Sequence, residues 1–163
     1  MESVTLRFTG AMIVSLIIAF ALSILPLREE WILFRPEWIA LTLIHWALYL
    51  PKKSSLLLAW FVGLLVDAIH GSILGQHAFG FAIVMLMTLR VRSRIVVESY
   101  FHQLFILFIV LGTYLLVNLW ILGVTGNSPA GWGYWLTVAT SIIVWPFYNY
   151  FLQVFHAKKK PFQ

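Results

Sequence analysis

The chain has 163 residues, of which 61% are hydrophobic, 17% aromatic and only 10% charged, against about 25% charged in soluble domains. Its 11 basic and 6 acidic residues cannot cover a globule of this size with polar surface, so lipid must solvate most of it and an ordinary soluble domain is excluded. With a mean hydropathy of +0.91 the class is an integral membrane protein, and six membrane helices of about 20 residues each leave no room for a soluble domain.

The absence of cysteine removes disulfides, thiol nucleophiles, iron–sulfur clusters and thiolate zinc sites together. A net charge of +5 and a pI near 9.8 would suggest nucleic acid in a soluble protein, but here the placement of Lys and Arg decides.

Charges divide the chain into apolar runs, and the expected fold is all-α: a six-transmembrane-helix bundle forming a single polytopic domain over residues 1–163. The first helix, about 10–27, ends in Pro26 and Arg28 without a small-residue cleavage site, so it is expected to stay attached. The second, 36–53, starts at Pro36, where a missing N–H is harmless, and is lengthened by snorkelling of Lys52 and Lys53. The third and fourth, 54–70 and 76–89, form a short pair across the Gly71 to Gly75 turn. The fifth, 103–124, is long enough by itself, and the sixth, 132–155, contains Pro146, which should kink it with Trp145 packed at the bend.

Orientation follows from the cations. Arg7, Lys52 and Lys53, Arg90, Arg92 and Arg94, and Lys158, Lys159 and Lys160 fall on one side of six crossings, while the other side receives Arg28 and Arg35 offset by Glu29, Glu30 and Glu37. This positive-inside pattern predicts both termini in the cytoplasm and accounts for the pI without nucleic acid. Trp31, Trp38, Trp120, Trp132 and Trp135 sit at the predicted outer ends and Tyr148 and Tyr150 toward the inner one, as an aromatic belt requires.

Asp67 is the one carboxylate inside an apolar run, and an ionisable residue at a helix centre costs roughly 2.5–3.5 kcal/mol, less near an interface. Gly63, Asp67, Gly71 and Gly75 recur every four residues and would form one stripe where another helix approaches closely. The stripe reads as an internal packing seam, as a partner- or ligand-binding seam, or as part of an ion path. Arg35 and Glu37 flank Pro36 on the same outer side, making a second candidate charge site with Asp67, in which Arg35 and Asp67 pair or each is solvated by headgroups. Asn118 is expected to bond across helices.

Enzyme classes find little support. An intramembrane serine protease needs a G-x-S setting, but in Gly71-Ser72-Ile73 the serine follows the glycine directly. His70 and His77 beside Asp67 lack the spacing of a helical metal pair, and there is no phosphate-binding glycine loop, so no cofactor or metal is expected.

Phe34-Arg35-Pro36-Glu37-Trp38, then Gly63-Leu64-Leu65-Val66-Asp67 leading to Gly71-Ser72-Ile73-Leu74-Gly75, then Trp145-Pro146, together resemble the rod shape-determining protein MreD family, as do the length and six-span layout. That resemblance implies a non-enzymatic scaffold of the bacterial cell-wall elongation complex, in the inner membrane, supporting lateral peptidoglycan synthesis. Its implied partners are an MreC-like bitopic protein, then MreB, RodA and penicillin-binding protein 2, with membrane lipid around it. It also suggests a fold like the substrate-binding subunits of vitamin-uptake transporters, so the alternative is a small-molecule or ion-binding membrane subunit.

Overall fold

The computed structural model describes residues 2–50, 54–97, 100–126 and 131–156. Every regular element among them is helical: α1 (Glu2–Ile24), a single turn α2 (Glu29–Ile32), α3 (Trp38–Tyr49), α4 (Leu56–His70), α5 (Gln76–Val97), α6 (Tyr100–Val124) and α7 (Leu136–His156), the last preceded by a 3₁₀ turn over Trp132–Trp135. Lys52, Lys53 and Lys158 to Lys160 lie outside the described residues, as do the side chains of Arg7, Glu29, Glu30 and Arg94.

Local chemistry sets the helix ends, and several differ from those expected. Helix α1 begins at Glu2, well before residue 10, and α5 runs through Arg90 and Arg92 to Val97 rather than stopping at 89, because arginine is a good helix former and nothing there breaks the ladder. Helix α3 is shorter than 36–53: Arg35, Pro36 and Glu37 stay outside it, and Leu50, which precedes Pro51, leaves the helical region at φ −130°, as a residue before proline does. Ser55 caps α4 by accepting a hydrogen bond from the Leu58 N–H at 3.1 Å. Gly71 ends α4 in the left-handed conformation, φ +63°.

Helix α3 runs through the middle of the bundle, with every residue from Ile39 to Leu48 buried, which is why it is apolar nearly all round. Packed around it are Met12, Leu16 and Ala19 of α1, Ala59, Val62 and Val66 of α4, Phe81, Val84 and Met85 of α5, Leu111, Tyr114 and Leu115 of α6, and Trp145 and Leu152 of α7.

The outside is apolar too. Trp132 is 88% exposed, Phe101 82% and Phe147 77%, whereas Asp67, His45, Asn118 and Ser141 are buried. That is the reverse of a water-soluble surface and suits a lipid solvent. By length and composition Phe101–Val124 alone among the described helices is long and apolar enough to cross a membrane, with Thr9–Ile24, Trp38–Tyr49 and Leu56–His70 as shorter apolar helices.

Buried polar groups tie the central helix to its neighbours. Tyr148 meets the Thr42 hydroxyl at 2.7 Å, and since Thr42 donates to the Trp38 carbonyl, Tyr148 is the donor. His45 Nδ1 donates to Asn149 Oδ1 at 2.7 Å and Gln153 to the Tyr49 hydroxyl, so three successive levels of α3 and α7 are bonded side chain to side chain. The Glu37 N–H adds a bond to Ser141 Oγ at 2.9 Å, and Trp46 Nε1 joins α3 to Ser15 of α1 at 2.7 Å. Pro146 lies inside α7 beside buried Trp145; its ring removes the N–H that would reach the Ile142 carbonyl, the basis for a bend there.

Candidate functional site

Asp67 is 1% exposed, and its surroundings explain how an apolar helix tolerates it. One turn before the end of α4, its carboxylate reaches the start of α5. Oδ2 accepts from the Gly75 N–H at 2.8 Å and the Ala78 N–H at 3.4 Å, and Oδ1 from the His77 N–H at 2.9 Å. Gly75 sits at the capping position of α5 and has no side chain to satisfy those groups, so the preceding helix supplies the cap. Three backbone donors and the positive end of the α5 dipole therefore face one anion.

Two side chains complete the set. Ser72 Oγ donates to Oδ1 at 2.8 Å, and His77 Nδ1 lies 2.7 Å from the same oxygen. Because Ser72 Oγ approaches the same ring nitrogen, at 3.2 Å, as the carboxylate does, the trio is not a hydrolytic relay. Such a relay needs the serine on one imidazole nitrogen and the carboxylate on the other.

The glycines have separate tasks. A Cβ on Gly63 would lie 2.2 Å from the Ala78 Cα, so α4 and α5 touch backbone to backbone there. Gly71 and Gly75 lie beyond the end of α4 with φ of +63° and +102°, conformations that favour glycine. The four-residue stripe expected from spacing is therefore interrupted: the helix stops at His70, the chain turns, and α5 of the same chain occupies the face of Gly63 that a partner helix would have used.

Arg35 and Asp67, for which pairing was one of two readings, are not brought together. Asp67 pairs with His77, while the Arg35 guanidinium donates to the carbonyls of Ser23 and Leu25 at the end of α1, where a cation complements the negative end of that helix. Depth matching could not distinguish these outcomes, because both arrangements lie at the same end of the bundle. Asn118 Nδ2 donates to the Tyr114 carbonyl of its own helix at 2.9 Å rather than across to another.

Between these groups lies a cavity of about 150 Å³, to which α1, α3, α4, α5, α6 and α7 all contribute. Arg35, Glu37, His70 and His77 stand in its wall, and Glu37 faces both Arg35 and Tyr114. His70, His77 and Tyr114 were not singled out as site residues by spacing. They stand on three different helices, and only the packing assembles them. No cluster of three or more metal-ligating side chains is present among the described residues.

An all-helical bundle with an apolar exterior, buried polar contacts between its helices and a partly open polar cavity defines a membrane-associated helical protein. The chain belongs to the family of the rod shape-determining protein MreD, whose family model matches residues 5–155. It is similar to the rod shape-determining protein MreD of Haemophilus influenzae, with 39% identity over 62 residues, 38% of each chain. The matched stretch thus spans well under half of that relative. No solved structure matches the chain. The family is one of shape-determining proteins rather than of enzymes.

Proposed function

We propose that the chain is a non-enzymatic membrane scaffold of the bacterial cell-wall elongation complex, supporting lateral peptidoglycan synthesis and rod shape. Family membership over nearly the whole chain carries this reading, and an apolar exterior built from α1, α4, α5, α6 and α7 suits it. In this role the chain crosses the inner membrane six times with both termini in the cytoplasm. It binds an MreC-like bitopic protein directly and joins MreB, RodA and penicillin-binding protein 2 in a larger assembly.

With the Gly63 face covered by α5, the partner's membrane helix is assigned to the lipid-facing surface, where van der Waals packing and small polar contacts drive association. Co-purification from membranes tests the role. A tagged chain should retain the MreC-like protein in mild detergent, and recovery no better than from cells carrying an untagged chain would count against it.

The polar cavity favours a second reading beside the first, a membrane subunit that binds a small molecule. Saturable binding to the purified chain, without loss of partner recovery, would add that property to the scaffold.

A further inference from the structure

The cavity is small and chemically two-sided. About 150 Å³ holds roughly five water molecules at ~30 Å³ each, which fits an amino-acid-sized group.

One side of it accepts hydrogen bonds. His70 Nδ1 lies 3.1 Å from the Val66 carbonyl and His77 Nδ1 2.7 Å from the Asp67 carboxylate. Since neither oxygen can donate, both rings carry hydrogen on Nδ1, which in the neutral ring leaves a lone pair at Nε2. The two rings are stacked, 6.1 Å between centroids, and with the Glu37 carboxylate they make three acceptors in one wall.

The other side is cationic. Both terminal nitrogens of Arg35 are held by α1 carbonyls, but its Nε is buried without a partner. Phe81 and Tyr114, stacked at 5.2 Å, supply aromatic surface beside the acceptors. A cation alone leaves the Arg35 Nε–H without an acceptor and an anion alone is opposed by Glu37, whereas a group with both charges meets both sides.

We propose that this cavity binds a small zwitterion, a primary ammonium beside an anionic oxygen, and that its source is the headgroup of an aminophospholipid. The ammonium hydrogens go to Glu37, His70 and His77, and the anionic oxygen takes the Arg35 Nε–H. A lipid source follows from position, because the cavity lies at the end of the bundle where Trp31 and Trp132 are exposed, as interfacial tryptophans are. Like the scaffold reading, this assignment takes the chain to be embedded in a bilayer.

The purified full-length chain in detergent, titrated with phosphatidylethanolamine, phosphatidylcholine and phosphatidylglycerol of identical acyl chains and read by native mass spectrometry, tests it. Phosphatidylcholine has the same charges without ammonium hydrogens. Phosphatidylethanolamine should bind roughly tenfold more tightly than either, the worth of one or two charge-assisted hydrogen bonds. Glu37→Gln and, separately, His70→Gln should remove that preference; His70 is exposed, so its replacement keeps the assay open if the Glu37 variant fails to fold. Competition by free alanine without any lipid preference would uphold the zwitterion site and overturn the lipid source. Equal retention of the three lipids without such competition, or preference unchanged in both folded variants, would overturn the proposal. Partner recovery is a separate measurement, so the scaffold reading can fail without this one.

Discussion

Asp67 shows how far one residue can be understood from spacing. Its position as an isolated membrane carboxylate is evident in the sequence, and so is its association with glycines. Its true role is not, because the donors that satisfy it come from a turn whose course depends on Gly71 adopting φ +63°. A signal was present: Gly75-Gln76-His77-Ala78 starts a helix with no side chain able to cap it, so a cap from elsewhere was required. Asp67→Asn keeps the shape but removes the charge from these bonds, and should destabilise the purified protein by about 1–2 kcal/mol, read as a lower melting temperature in detergent. Gly63→Ala places a methyl against the Ala78 backbone and should cost about 1–3 kcal/mol through overpacking. Gly71→Ala should cost roughly 1–2 kcal/mol through its backbone conformation. A Gly63→Leu chain that stays monodisperse and loses only a partner would contradict this account of the seam.

Helices were legible in the sequence as elements but not in how they associate. Apolar runs broken by charges locate all six long helices, and the shortening of α3 follows from Pro36 and Pro51, both visible in the sequence. The bonded levels joining α3 to α7 were missed, although Thr42, His45 and Tyr49 share one face of a helix at the spacing of a stripe. Nothing in a single chain says which distant helix will meet that stripe; Tyr148, Asn149 and Gln153 lie about a hundred residues away. A double-mutant cycle of His45→Ala and Asn149→Ala should show a coupling near 0.6 kcal/mol and not above about 1.7 kcal/mol. Additive losses would mean that the two side chains do not bond in the membrane-embedded protein.

At the scale of the whole molecule, the cavity gathers the ends of α1 and α4 and the starts of α3, α5 and α7 at one end, as an up-and-down bundle requires. Because the chain has no cysteine, single substitutions report orientation without background. Thr125→Cys should react with a membrane-impermeant maleimide from outside intact spheroplasts, and Ser93→Cys only after permeabilisation; the opposite pattern would invert the assigned topology. Family membership rather than geometry carries the biological role, so the central claim is best tested in the cell that makes this protein. Depleting the chain while imaging cell width and sites of new peptidoglycan should turn growing rods into spheres, with shape restored by the wild-type chain. Rods of unchanged width after complete depletion would contradict the account.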